Sequence, residues 1–158
     1  MTSTISAAVL TVTVTERVLL NGVDQGGTNT LTVESVNEIL KRIVTVPTSE
    51  IGIYTTTDTV AGGSQFKSAR VKYVRLTNMD DTNFIWIVVK NAGNDEFVIT
   101  LGPGESWMSH NQDNATNGGM NADNGSISDF TSGLQDITLV SARASTAASD
   151  LEIFVASI

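Results

Sequence analysis

The sequence has no cysteine, one histidine and two prolines in 158 residues. Without cysteine there is no disulfide framework and no thiolate metal site, so the fold must rest on its core. A chain of this length can bury enough apolar surface to do so unaided, and it suits one domain. Basic residues are scarce: nine Lys and Arg stand against seventeen Asp and Glu, for a net charge of -8. That balance argues against a nucleic-acid backbone binder, which needs a basic face to displace counterions. It also disfavours an anionic membrane surface. No run approaches the roughly 18 apolar residues that span a bilayer. The first twenty residues, "MTSTISAAVLTVTVTERVLL", lack a basic leader, and their apolar residues alternate with Thr, so they do not read as a signal peptide. The expectation is a product assembled in cytoplasm.

Thr, Val, Ile, Asn and Gly dominate what is present. Branching at Cβ suits Thr and Val to a pleated surface, so composition alone leans towards strands. The pattern agrees. Val12 and Val14 alternate with Thr11, Thr13 and Thr15, Val74 shares a parity with Leu76, and Phe97, Ile99 and Leu101 share another. "NGVDQGGTN" (Asn21 to Asn29), "MDDTN", "NAGND" and "GPGE" supply turn chemistry between the strands. One segment is ambiguous. Val33, Val36, Ile39, Leu40 and Ile43 fit a helical stripe, and Ser35 with Glu38 fits a capping box. We read it as a turn or short helix around Ser35 to Asn37, followed by a strand that stops at Pro47. The count is about eight to ten short strands at regular spacing, which predicts an all-β chain folded as a β-sandwich or jelly roll. Residues 1–15 are predicted to form an N-terminal arm or first strand, and residues 16–158 the sandwich.

"FIWIVV" (Phe84 to Val89) is apolar at every position and reads as a strand buried on both faces. One face meets the opposite sheet. The other is covered by the chain's own loop from His110 to Gly133 or by a neighbouring subunit, because a large exposed apolar strip is uncommon. That loop is small and polar, with Met120, Ile127 and Phe130 as its few anchors.

Chemistry is hard to place. His110 has Ser106 and Ser109 close in sequence, but there is no nucleophile-elbow pattern to support a triad. Asp113, Asn121, Asp123 and Asp129 crowd the loop and offer hard oxygen ligands, but without the spacing of a calcium loop. Asp80 and Asp81 read as a turn. Lys72, Tyr73 and Arg75 are too small a basic cluster for nucleic acid, and "GGT" and "GPGE" lack the spacing and lysine of a phosphate cradle. The glycosylation sequons at Asn114 and Asn124 matter only in a secreted chain. No catalytic, cofactor or metal residues are assigned. The residues expected at an interface are Val12, Val14, Phe84, Trp86, Trp107, Met120 and Phe130.

Three stretches resemble a known group. "VKYVRLTNMDDTNFIWIVV", "DEFVITLGPGESWM" and "LQDITLVSARASTAASDLEIFVASI" are similar to segments of small virion structural proteins of tailed bacteriophages, especially those infecting marine cyanobacteria. Arg75 to Phe84, Leu101 to Met108 and Leu134 to Val155 carry the likeness, and Thr11 to Pro47 follows it more loosely. The Asn-rich loop from Asn111 to Gly125 departs from it. The resemblance implies a jelly-roll-like sandwich, present in many copies on a particle, without enzymatic activity. The expected partners are other copies of the chain and the major capsid protein or other virion proteins. Capsid decoration is the preferred role. A neck or tail component is the alternative, and a carbohydrate-binding sandwich using Trp86 or Trp107 is a rival from another class.

Overall fold

A computed structural model describes residues 6–67, 70–93, 95–110, 121–122 and 135–158. Among these residues there is no helix, and the fold is a β-sandwich. The strands in chain order are β1 (Ala8–Thr15), β2 (Leu19–Leu20), β3 (Val23–Asp24), β4 (Thr28–Val36), β5 (Glu38–Val46), β6 (Ile51–Thr57) and β7 (Gln65–Lys67). They continue as β8 (Val71–Asn78), β9 (Ile85–Asn91), β10 (Glu96–Leu101), β11 (Ser106–His110), β12 (Asn121–Ala122), β13 (Gln135–Ala144) and β14 (Ser149–Ser157). Ten of these strands have five or more residues, the upper end of the expected range, and four have only two or three.

One sheet runs β10-β9-β13-β6-β7, with β12 also paired to β13, and the other runs β11-β8-β14-β5. All neighbours are antiparallel except β6 and β7. The two sheets share one core. Ile85, Ile87, Val89, Val140 and Ile53 from the first meet Val74, Leu76, Leu151, Ile153 and Val155 from the second. Alternation places these side chains on one side of their strands, which is why Val74 and Leu76 are both fully buried.

The chain passes repeatedly between the sheets, at corners that include β5 to β6, β8 to β9, β10 to β11 and β13 to β14. Polar side chains tie the corners to one another. Asn78, fully buried at the end of β8, donates through Nδ2 to the carbonyls of Asn83 (2.8 Å), Leu101 (3.1 Å) and Gly102 (3.0 Å). Its Oδ1 accepts from the Asp80 amide at 3.0 Å. Asp80 in turn accepts from the amides of Thr82 and Asn83, as the "MDDTN" turn chemistry anticipates. Those bonds hold its carboxyl well below the usual range, at about 2. The Ser145 amide donates to the Phe84 carbonyl, and the Ala144 amide to Pro47.

The ambiguous segment contains no helix. β4 and β5 are strands joined at Asn37, whose amide donates to the Ser157 carbonyl at 3.0 Å. Ser35 has φ of 59°, and the β1–β4 register shifts there. This bulge puts Val33 and Val36 on the same face with a spacing of three, which imitates a helical stripe. The expected turn over Asn21 to Asn29 is also shorter than predicted. Asn21 and Gly22, both at positive φ (52° and 81°), form the turn, and the chain pairs again from Val23 onwards.

Candidate functional site

β1 to β4 form one long hairpin whose register is constant from Leu10↔Val33 to Leu20↔Val23. Between the paired stretches the Glu16 and Gly27 backbones exchange two hydrogen bonds, at 2.8 and 3.1 Å, and the Gln25 amide donates to Val18. Gly26 is required here for close approach: a Cβ on it would stand 2.0 Å from the Glu16 carbonyl oxygen. The arm predicted over residues 1–15 is therefore one half of a two-stranded element that continues through Val36.

The constant register sorts the arm into two faces. One carries threonines, with Thr13 and Thr30 Oγ1 atoms 3.5 Å apart and those of Thr15 and Thr28 3.4 Å apart. The other carries Leu10, Val12 and Val14 with Val33 and Leu31 opposite, then Glu16, Val18, Leu20 and Val23 towards the tip. At its base this apolar face packs on the outer side of the β11-β8-β14-β5 sheet. There Val33 and Val36 form a second core with Tyr73 and Ala156, joined by Leu10, Val12, Leu31, Phe154 and Ile158. The Tyr73 and Phe154 rings meet edge-to-face at 5.9 Å. Burial raises the Tyr73 pKa above its ordinary value, with Arg75 opposing.

Beyond this base every residue from Thr13 to Thr30 is exposed. At roughly 3.3 Å per residue the free part of the arm is about 25 Å long. Its tip holds Val18, Leu19, Leu20 and Val23, each more than half exposed. Four large apolar side chains on the end of a projecting ribbon are the most distinctive surface of the described chain.

The expected interface residues fall into different settings. Val12 packs against the chain's own sheet, and Val14 is the first residue of its face to become exposed. Phe84 is exposed at a corner between the sheets. Trp107 is half-buried and packs against the main core. Met120 and Phe130 lie outside the described residues. "FIWIVV" is fully buried on one face only: Ile85, Ile87 and Val89 point into the core, while Trp86 and Val88 are half-buried on the outer face. There the Arg143 guanidinium lies 5.8 Å from the Trp86 ring centroid, and its Nε donates to the Thr48 carbonyl at 2.7 Å. Beside them Lys90 bridges Glu50 (3.2 Å) and Glu96 (3.4 Å), and the Ser141 hydroxyl donates to Glu50. The Ser141 bond, then Lys90, lowers the Glu50 pKa, and the two carboxylates raise that of Lys90. This polar seam, rather than a second apolar layer, accompanies Trp86.

The residues considered for chemistry are not brought together as a triad. His110 is exposed at the end of β11. Ser106 Oγ stands 2.7 Å from Thr77 Oγ1, within a chain that continues through Arg75 Nη1 (2.7 Å) to Glu152 (2.7 Å). Ser109 is half-buried on the opposite side of β11. Asp113, Asn114, Asp123, Asn124 and Asp129 lie outside the described residues, and for Asn121 only its pairing in β12 is defined. Among the described residues no three His, Cys, Asp or Glu side chains cluster as a metal site. Nor is any helix among them long and apolar enough to cross a membrane.

Comparisons with protein-family models, with curated proteins and with solved structures give no match. The fold therefore defines the class, an all-β sandwich with a projecting β-hairpin arm.

Proposed function

We propose that the chain is a non-enzymatic structural protein of a bacteriophage virion, in the role of a capsid decoration protein that stabilises the head. Its partners are other copies of itself and the major capsid protein. Two things support this reading. The segments from Arg75 to Phe84, Leu101 to Met108 and Leu134 to Val155 resemble virion structural proteins. The observation that carries it is the arm, which is anchored at its base, exposed from Thr13 to Thr30 and apolar at its tip. Attachment would draw on apolar burial, roughly 25 cal/mol per Å² before the costs of association. Symmetry then repeats a modest contact over the whole shell.

The test is localisation with an antibody in purified particles, combined with particles that lack the protein. Decoration requires label over the head, and heads without the protein that rupture at lower temperature or on dilution into low salt. Label on the tail, with intact heads that fail to adsorb to host cells, would replace this role by a tail component. Binding of the purified protein to a glycan array through Trp86, without label on particles, would replace it by a carbohydrate-binding module.

A further inference from the structure

We propose that the arm tip docks on the outer face of β5 in a second copy of this chain. The arm presents its apolar face at both ends, but only the base half of that face is covered by its own body. The tip half, Val18, Leu20 and Val23, needs a surface of the same kind, and the chain carries one elsewhere. β5 is the last strand of its sheet, so among the described residues no neighbouring strand flanks it on that side. Its outward side chains, alternating from Ile39 through Lys41 to Ile43, are all exposed, and the two isoleucines are 55% and 61% exposed. Exposure of both surfaces in one chain means that its own tip does not cover its own strip.

Charge favours the match. The acidic side chain on the apolar face of the arm is Glu16, whereas Arg17 and Asp24 fall on the threonine face. The cation on the strip is Lys41. Of the acidic groups beside it on β14, Glu152 is held by Arg75 at 2.7 Å, and Asp150 accepts the Thr45 hydroxyl at 2.7 Å. Glu38 has the opposite parity on β5 and leaves this face. The spacing also agrees. With Glu16 over Lys41, Val18 falls two residues further along its strand, the step that separates Lys41 from each isoleucine. The net charge of -8 opposes self-association, so the contact has to be local, apolar and paired in this way.

This inference goes beyond the virion reading and does not depend on it, because it concerns the isolated protein. Sedimentation velocity over a concentration series tests it on the full chain. Wild type should associate. Replacing Val18, Leu20 and Val23 by Ser, or Ile39 and Ile43 by Ser, should each weaken association about 100-fold or more while leaving the circular dichroism spectrum unchanged. Glu16→Lys and Lys41→Glu should each weaken it, and the double swap should restore it. The natural absence of cysteine allows a direct check: copies carrying Glu16→Cys, mixed with copies carrying Lys41→Cys, should form a disulfide-linked heterodimer under mild oxidation. A wild type that stays monomeric throughout overturns the proposal, as does a swap without rescue or a mixture without the heterodimer. If the monomeric wild type binds phage shells and the tip variant does not, the tip belongs to the shell and not to a second copy.

Discussion

Asn78→Ala should be among the most damaging single changes in this molecule, although it removes no apolar contact. Asn78 is fully buried, and its amide faces three carbonyl oxygens from two different corners. Two amide hydrogens serve those three oxygens and Oδ1 accepts from the Asp80 amide, so truncation removes three to four net hydrogen bonds of about 1 kcal/mol each. The bond to the Leu101 carbonyl is itself buried, and stripping that oxygen of its donor adds about 1–3 kcal/mol. The sum is about 4–7 kcal/mol, or a fall in Tm of about 15 °C for a chain of this size. Asn78→Asp sharpens the test. It keeps the shape but places a carboxylate against three carbonyl oxygens in a buried site, which raises its folded pKa above the unfolded value of about 3.9. Relative to wild type, its stability should therefore be greatest below about pH 4, and that share should be lost as pH rises through the folded pKa. Urea titrations of wild type and both variants from acid to neutral pH would measure this. A loss below about 1 kcal/mol for the alanine variant, or an aspartate variant whose difference from wild type is flat with pH, would refute the reasoning.

Three further outcomes follow from the geometry. Asp80 has its folded pKa depressed to about 2 by the amides of Asn83 and Thr82, so its contribution is present above the unfolded pKa and is lost as pH falls towards 2; Asp80→Asn should flatten the acid limb of the stability–pH curve in that window and leave its alkaline limb unchanged. Tyr54 is buried against Phe66, and its hydroxyl has no hydrogen-bond partner among the described residues, so Tyr54→Phe should leave Tm unchanged or raise it; a loss above about 1 kcal/mol would reveal a partner for the hydroxyl. Gly26→Ala places a Cβ against the Glu16 carbonyl, so the middle of the arm should open while the sandwich stays intact; amide exchange by NMR should speed up at Glu16 and Gly27 and hold steady at Val74 and Ile153.

Much of the sandwich was legible because alternation survives where one face is buried. Val12/Val14, Val74/Leu76 and Phe97/Ile99/Leu101 all lie on strands with the predicted parity. The readings failed where backbone irregularity changed the phase. The bulge at Ser35 shifted the parity between Val33 and Val36, and two strands then resembled a helix. Glycine misled in a different way. "NGVDQGG" looks like one long turn, yet Asn21–Gly22 is the turn and Gly26 is a strand glycine placed for close backbone approach. "FIWIVV" looked apolar all round because nothing in the sequence says that Arg143, far along the chain, lies beside Trp86. The arm was legible as a Thr/Val strand, but its exposed tip was not. Exposure depends on where the supporting sheet ends, which local pattern does not encode. The role of Asn78 was equally hidden, since its three acceptors come from other parts of the chain.

The seat of the arm also has a timing. Val33 and Val36 belong to the early part of the chain, whereas Ala156, which they pack against, belongs to β14, the last of the described strands. During synthesis the arm leaves the ribosome long before its seat exists. It can pair with itself, but a lone hairpin is marginal in water. Only when β14 inserts between β8 and β5 does the arm gain a fixed base and hence a defined direction. The projecting tip is thus a late property of the nascent protein, and premature contacts between half-made copies lack the oriented arm that would hold them.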